Sequence, residues 1–244
     1  RLAAVGQLAA GIAHDFNNLL TGVVGFSQLL ELRKDIPDSA KENLRSISTQ
    51  GQRAAQLVRQ ILDFSRQTVA ERKPLDLVPI LKENLKLLDR TLPENIEVRS
   101  EFGRDASVVE ANPTQIQQVL TNLAVNARDA MPDGGKFDLE LSSLEVKRGE
   151  ATPLPGMKEG RYVVWTVSDS GTGIPPDVIE HIFEPFYTTK NPGDGTGLGL
   201  AQVYGIVQQH RGEIDVESKA GERTRFRIYL PAVSVPGQAE TTDP

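Results

Sequence analysis

The chain has 244 residues, of which 39% are hydrophobic and 25% are charged, as in an ordinary globular protein. It contains no cysteine, which excludes disulfides, thiolate metal sites and a cysteine nucleophile. The formal net charge of −6 argues against a nucleic-acid partner, because such binding depends largely on Lys and Arg side chains that neutralise phosphates.

The N-terminal part of the chain predicts a long amphipathic helix, a break and a second long helix. The break is the segment Ile36-Pro37-Asp38, and Ser39 with Glu42 three residues later predicts a capping box for the second helix. Apolar or small residues recur at steps of three and four in both helices, the spacing of one buried stripe. They are Val5, Leu8, Ile12, Phe16, Leu19, Val23, Phe26 and Leu30, then Ala40, Leu44, Ile47, Gly51, Ala54, Val58 and Ile61.

Two such helices joined by a short turn form an antiparallel hairpin. One hairpin can bury only part of its apolar surface, so a homodimer that forms a four-helix bundle is favoured. A helical linker packed against another element is the alternative.

A domain boundary is predicted near Arg72, where the helical pattern gives way to a mixture of helices and strands. Helices are predicted over residues 78–88, 113–130 and 198–209, and strands over 96–102, 137–146, 162–167, 214–217 and 225–230. The fold class is therefore α+β: a helical hairpin over residues 1–70, then an α/β sandwich over 71–232. The sandwich should have one mixed sheet with helices on one face, and the polar residues 233–244 predict a flexible tail.

His14 lies two positions from both Ile12 and Phe16, about 200° around the helix from the apolar stripe, and should face outward. Its face also carries small or polar residues, including three glycines, which favours a surface that another molecule approaches closely. The adjacent Asp15 can keep one ring nitrogen protonated and leave the other as a nucleophile. Asn18, one turn on, can position a water or a phosphoryl oxygen. A solvated surface histidine is the alternative at this point.

Three pieces of the second domain predict a nucleotide site. Asn122 and Asn126 share one face of a helix, and a carboxamide oxygen suits Mg²⁺, although such residues can also serve only as hydrogen-bonding groups. Asp169 follows a strand and can accept a hydrogen bond from an amino group such as that of adenine, while Gly171 and Gly173 allow close approach to a planar ring. Alone, this second piece is hard to distinguish from a turn.

The third piece, residues 193–200, alternates glycine with other residues and leads into a helix. Its backbone N–H groups and the helix N-terminus favour phosphate. Aromatic residues in the preceding segment 183–190 are either anchors of a mobile lid or members of the core. The order and spacing of the three pieces make coincidence improbable.

Over nearly its whole length the chain resembles the sensor histidine kinase family. Residues 13–20 look like the phosphoacceptor box of that family, in the variant with Asn four residues after His. The Asn122/Asn126 helix resembles its N box, residues 169–173 and 195–199 its two glycine boxes, and residues 183–186 its F box. The resemblance implies a dimerisation and phosphotransfer hairpin over 1–70 and a catalytic ATP-binding domain of the gyrase/chaperone/histidine-kinase superfamily over 71–232.

The resemblance also implies roles for individual residues. His14 would be phosphorylated from ATP and would pass the phosphoryl group to the Asp of a response-regulator receiver domain. Asp15 would be its acid/base partner, and Asn18 would align water to remove phosphate from the regulator. Asn126 would hold Mg²⁺ and Asp169 would recognise adenine. The full set of implied nucleotide-binding residues is Asn122, Asn126, Asp169, Gly171, Gly173, Lys190, Gly195, Thr196, Gly197, Leu198 and Gly199.

The chain departs from the family pattern at two positions. Leu19 stands where many members have proline, so the helix should lack a kink there. Asp129 stands where some members have a basic residue, which leaves Arg128 and Lys190 both possible as the cation that contacts the phosphates.

Two rival functions can be weighed on the same residues. Hydrolytic ATPases of the superfamily use glutamate at the position of Asn122, and a carboxamide cannot act as that general base. A degenerate kinase that only dimerises and holds nucleotide is disfavoured because His14, Asn126, Asp169 and the glycines are all present.

No apolar run is long enough to span a membrane, and the N-terminus lacks a signal-peptide pattern. We expect a cytoplasmic fragment without membrane contact, from a longer protein that could itself be anchored.

Overall fold

A computed structural model of the chain describes residues 16, 19–33, 35–65, 71–88, 91–103, 108–191 and 195–233. The chain divides into two compact units, Arg1–Ala70 and Glu71–Pro244. Within the residues described, no helix combines the length and the apolar character that crossing a membrane requires.

The described part of the first unit contains two helices, α1 over residues 19–31 and α2 over Asp38–Ser65. Helix α2 begins before Ser39, so the predicted capping box of Ser39 and Glu42 is wrong. Pro37 occupies the position before the helix, and its carbonyl oxygen accepts hydrogen bonds from the N–H groups of Ala40 at 2.9 Å and Lys41 at 3.1 Å. Proline suits this position because it has no N–H that the helix must satisfy.

Gly51 of α2 lies close to Val24 of α1. A Cβ on Gly51 would lie 2.6 Å from Cγ2 of Val24, so only glycine allows this approach. Ser27 on α1 and Ser48 on α2 are also buried. Six large apolar residues of the predicted stripes are exposed in the single chain. They are Phe16, Leu19, Val23, Phe26, Leu30 and Ile47.

The second unit is an α/β sandwich built on a five-stranded mixed sheet. Its elements are β1 (Lys73–Asp76), α3 (Leu77–Leu88), β2 (Ile96–Phe102), β3 (Val108–Ala111), α4 (Pro113–Ala130), β4 (Gly135–Val146), β5 (Gly160–Asp169), α5 (Pro176–Ile179), α6 (Gly199–Gln209), β6 (Glu213–Lys219) and β7 (Arg223–Pro231). The strand order is β2-β4-β5-β7-β6, and only the β2–β4 pair is parallel. This confirms the predicted fold class.

A second, two-stranded sheet was missing from the sequence-based prediction. Strands β1 and β3 pair antiparallel, with Lys73 opposite Ala111 and Asp76 opposite Val108. Each has only four residues, too few for an alternating pattern to stand out, and β1 contains proline, which is disfavoured within a sheet.

The main core lies between the sheet and helices α3, α4 and α6. Leu81, Leu120 and Val203 from the helices belong to one buried cluster with Phe137 and Trp165 from the sheet. The central strand β5 is buried at every position from Tyr162 to Val167, as expected when both faces of a strand are covered. The other face of β5 is covered by a smaller buried cluster, which consists of Val146, Met157, Tyr162, Val164 and Tyr229.

Candidate nucleotide-binding site

Helix α4 presents three polar side chains along one face. Its N-cap is Asn112, whose side-chain oxygen accepts a hydrogen bond from the N–H of Gln115 at 3.2 Å. Leu120, Leu123 and other apolar residues bury the opposite face in the core. Positions 122, 126 and 129 follow at steps of four and three, so Asn122, Asn126 and Asp129 line up on the side away from the core.

The amide of Asn122 connects α4 to the first turn of α6. Its Nδ2 donates to the carbonyl oxygen of Gly199 and to Oε1 of Gln202, both at 3.1 Å. Gln118 donates to the same Oε1 at 3.4 Å. A Cβ on Gly199 would lie 3.9 Å from Cγ of Asn122 and 4.0 Å from Nδ2 of Asn126, so both asparagines face this glycine. Because Nδ2 of Asn122 donates to groups on α6, its carboxamide oxygen is the atom that remains able to contact a ligand.

Gln118 and Gln202 were not among the predicted site residues. Gln202 is only 9% exposed and lies between the buried Ala201 and Val203 on α6. A buried amide needs hydrogen-bond partners, and Gln202 meets this need by accepting from α4. The sequence signal that could have identified Gln202 is a glutamine within a largely apolar helix, directly after a glycine-rich segment.

Asp169 is buried at the end of β5, with 8% of its surface exposed. Burial raises its pKa to about 6, although the N–H of Gly171, which donates to Oδ1 at 3.0 Å, acts in the opposite direction. A carboxylate can accept several hydrogen bonds, so this group retains capacity for a donor on a ligand.

The turn after Asp169 packs against the end of α4. A Cβ on Gly171 would lie 2.7 Å from both Cβ and the carbonyl oxygen of Ala130, and the N–H of Thr172 donates to that oxygen at 3.0 Å. Gly173 has a φ of +67°, and a Cβ there would overlap the carbonyl oxygen of Lys219. In the structure both glycines are therefore required by close contacts with the protein itself.

The second glycine segment is described from Gly195 onward. A Cβ on Gly195 would lie 2.8 Å from Oγ1 of Thr188 and 3.0 Å from Cδ of Lys190. Oγ1 of Thr196 accepts a hydrogen bond from the N–H of Leu198 at 3.3 Å, and Leu198 is the buried residue directly before α6.

The aromatic residues before this segment have different environments. Phe183 packs against the core, and its ring centroid lies 5.4 Å from that of Tyr204. Phe186 is 63% exposed and has a φ of +70°, rare for a non-glycine residue. Its N–H donates to the carbonyl oxygen of Gly197 at 2.9 Å, and Gly197 itself has a φ of +64°. Of the two interpretations offered by the sequence, core packing therefore applies to Phe183 and not to Phe186.

Arg128 and Lys190, the two candidate phosphate contacts, both bind Asp129. Nη2 of Arg128 lies 2.8 Å from Oδ1 of Asp129, and Nζ of Lys190 forms an ion pair with Oδ2. Burial alone would raise the pKa of Asp129, but hydrogen bonds from Lys190 and Arg128 outweigh it and lower the pKa below its usual value. The sequence left open which cation contacts phosphate, and the structure places both on one carboxylate.

His14, Asp15 and Asn18 lie outside the described residues, so their predicted roles stay predictions. Farther along α1, Gly22 and Gly25 share the predicted face of His14. A Cβ on either glycine would meet no atom within 4 Å.

The fold and the geometry of this site define an ATP-binding domain preceded by a helical hairpin. The model of the histidine kinase-, DNA gyrase B-, and HSP90-like ATPases matches residues 111–234, and the His Kinase A (phospho-acceptor) domain model matches residues 4–69. The chain therefore belongs to the histidine kinases.

Individual relatives agree with this assignment. The sensor kinase CckA of Brucella abortus (strain 2308) is 46% identical over 231 residues, which cover 95% of this chain and 24% of CckA. The sensory histidine kinase/phosphatase NtrB of Rhizobium leguminosarum bv. phaseoli is 32% identical, with 94% of this chain and 59% of NtrB covered. The chain thus spans less than two thirds of the length of either relative.

Two solved structures resemble the chain over most of its length. Full-length ShkA in complex with AMPPNP has a TM-score of 0.71 at 26% identity, covering 94% of this chain and 47% of ShkA. The histidine kinase ThkA in complex with the response regulator protein TrrA has a TM-score of 0.61 at 28% identity, covering 96% of this chain and 63% of ThkA.

Proposed function

We propose that this chain transfers the γ-phosphoryl group of ATP to His14 and then to the Asp of a response-regulator receiver domain. The observation that carries this proposal is that the Asp169 turn and the start of α6 both pack against α4, the helix that carries the two asparagines. Gly199 adjoins Asn122 and Asn126, and Gly171 adjoins Ala130 at the end of the same helix. The match of the phospho-acceptor model over residues 4–69, which include position 14, supports the second half of the proposal.

Each group in the site has a distinct task in this proposal. The carboxylate of Asp169 accepts a hydrogen bond from the adenine amino group. The carboxamide oxygen of Asn126 is a ligand of the type that Mg²⁺ accepts, and Mg²⁺ usually retains waters and shares phosphate oxygens. Backbone N–H groups of residues 195–199, other than that of Leu198, which donates to Thr196, and the N-terminus of α6 face the phosphates and favour their negative charge.

The chemical step is an in-line displacement at the γ-phosphorus. A lone pair on a ring nitrogen of His14 forms the new N–P bond while the bond from phosphorus to the bridging oxygen breaks, and ADP leaves. The remaining ring proton passes to Asp15, so the ring of the phosphoramidate is neutral while the transferred phosphoryl group keeps its negative charge. Because Asn122 cannot activate water as a glutamate would, ATP is preserved for this transfer.

The experiment is incubation of the chain with γ-labelled ATP. We expect acid-labile, base-stable label on the protein, whereas a hydrolytic ATPase would release free phosphate and a binding module would do neither. His14→Gln should abolish labelling, and His181→Gln is the matched control because this histidine is exposed on the other unit. Normal labelling of the His14→Gln protein would contradict the assignment.

We further propose phosphatase activity towards the phosphorylated regulator, with Asn18 aligning the attacking water. The relative NtrB is named a kinase/phosphatase, which supports testing this role. Asn18→Ala should autophosphorylate normally and dephosphorylate the regulator slowly. An unchanged dephosphorylation rate would refute the role of Asn18.

The exposed apolar side chains of the hairpin support a homodimer through residues 1–70. Phe16 is 53%, Leu19 68% and Phe26 70% exposed in the single chain, and burial of such surface favours association. We assign residues 71–232 to ATP binding and catalysis, with 233–244 as a tail, and place the reactions in the cytoplasm. Sedimentation equilibrium of the chain tests the dimer, since a monomer at micromolar concentration would contradict it.

A further inference from the structure

Asp129 lies in the same row on α4 as the two asparagines of the nucleotide site. Asn122 binds the carbonyl oxygen of Gly199, and Asp129 binds the ammonium group of Lys190. Asn126, the proposed magnesium ligand, lies between these two connections along the helix. Asp129 therefore places a negative charge directly on Lys190, one of the two cations that could contact the phosphates of a nucleotide.

The ion pair of Asp129 and Lys190 differs from ordinary surface pairs of this molecule. It joins residues 61 positions apart, and the two side chains are 26% and 34% exposed. The pairs Arg33–Asp35 and Arg99–Glu97 join residues two positions apart and are more than half exposed. Local exposed pairs contribute little to stability. The pair of Asp129 and Lys190 is only partly exposed, and it can form only while the segments that carry the two residues lie side by side.

Lys190 is positioned at two points along its side chain. Its Cδ lies beside Gly195, at 3.0 Å from where a Cβ would stand, and its ammonium group lies on Asp129. Arg128 binds the other oxygen of the same carboxylate, at 2.8 Å from Nη2. One carboxylate thus engages both cations that could contact a phosphate, and the three side chains together carry a net charge of about +1.

We propose that Asp129 is a built-in competitor for the phosphates of the nucleotide, the counter-ion that a polyphosphate must displace from Lys190 in order to bind. This proposal rests on the proposed ATP-binding function. Displacement needs a ligand group that is more negative than a carboxylate, which a triphosphate provides and an adenosine does not. Asp129 thereby lowers the affinity of the site for ATP and ADP, and its ion pair with Lys190 forms again when the nucleotide leaves.

The test measures the dissociation constants of ATP, ADP and adenosine for the whole chain by titration calorimetry. Asp129→Asn preserves the size of the side chain and removes its charge, so we expect ATP to bind about three- to fivefold more tightly. The gain should be smaller for ADP and absent for adenosine. Glu101→Gln, which removes one charge from an exposed position on β2, is the control and should leave all three constants unchanged.

A double-mutant cycle identifies Lys190 as the group for which Asp129 and phosphate compete. Lys190→Ala should weaken ATP binding, and adding Asp129→Asn to it should restore little, because no ammonium group remains to be released. Asp129→Ala should reproduce the gain of Asp129→Asn if charge is the cause.

Three results would overturn the proposal. Weaker ATP binding by Asp129→Asn would mean that Asp129 positions Lys190 for the phosphate. No change would mean that the ion pair has no part in binding, and an equal gain for adenosine would mean an effect outside the phosphates. Failure of the underlying ATP-binding function is distinguishable, because the unmodified chain would then bind no ATP.

Discussion

Replacing Asp169 by asparagine should stabilise the nucleotide-free protein and weaken ATP binding at the same time. Burial raises the pKa of this carboxyl from 3.8 to about 6, and the hydrogen bond from Gly171 offsets only part of that effect. A rise of about two pKa units corresponds to about 3 kcal/mol of unfavourable free energy for the charged form at neutral pH. Asp169→Asn removes the charge and keeps an oxygen that can accept the Gly171 hydrogen bond.

The sign of the pH dependence follows from the direction of the shift. Because the pKa is higher in the folded state, the folded protein binds a proton between pH 3.8 and about 6 that the unfolded chain has released. The contribution of Asp169 to stability therefore falls as pH rises through this range, and its full cost is present above about pH 6. Asp169→Asn should gain up to about 3 kcal/mol at pH 7.5 and almost nothing below pH 3.8.

ATP binding should change in the opposite direction. The carboxylate makes a charge-assisted hydrogen bond with the adenine amino group, and a neutral amide oxygen makes a weaker one. The loss should be about 1–2 kcal/mol, or roughly tenfold in dissociation constant at pH 7.5. The loss should shrink towards pH 5, where Asp169 itself becomes protonated.

The chain contains a single tryptophan, which makes the stability assay specific for the second unit. Trp165 is fully buried in the core of that unit, so its fluorescence during urea unfolding reports on the ATP-binding domain. Calorimetric titration with ATP at pH 5.5 and 7.5 supplies the second measurement, and Asp177→Asn, at an exposed site on α5, is the control. Unchanged stability together with unchanged ATP affinity would refute the reasoning, and so would a loss of stability at pH 7.5.

Three further predictions concern the same unit. Burial lowers the pKa of His210, whose Nε2 accepts a hydrogen bond from the N–H of Asn112. The contribution of His210 to stability should therefore be fully present above pH 6.5 and decline below it. His210→Gln should remove this decline in urea titrations. Gly173→Ala should lower the free energy of unfolding by about 1–3 kcal/mol, because φ is +67° and a Cβ would overlap a backbone oxygen. Gly221→Ala, where φ is +82° but a Cβ would meet open space, should lower it by about 1 kcal/mol; thermal unfolding measures both. Phe137→Ala, at a fully buried core position, should cost about 3–5 kcal/mol in the same assay; a loss below about 1 kcal/mol would contradict the described core.

The sequence predicted the elements whose signals are local. Helix α4 begins at Pro113 and ends at Ala130, as predicted, because its capping residue and the Pro-Gly segment after it act within a few residues. The strand β2 likewise matches over Ile96–Phe102. Where the signal was short or ambiguous the prediction failed, as for the four-residue strands β1 and β3 and for Ser39, which lies inside α2.

The motifs also determined the family, because their residue types and order along the chain are properties of the sequence. The roles assigned to His14, Asp15, Asn18 and the nucleotide-binding residues remain predictions that the proposed experiments test.

Only the tertiary structure decided which groups of the site contact one another. The binding of Asn122 to Gln202 joins residues 80 positions apart, and the pair of Lys190 with Asp129 joins residues 61 apart. No periodicity or spacing encodes such contacts, because they depend on how α6 and the segment before it pack against α4. Local backbone preferences determine the helices and strands of this protein, whereas long-range packing determines where its buried charges and amides meet.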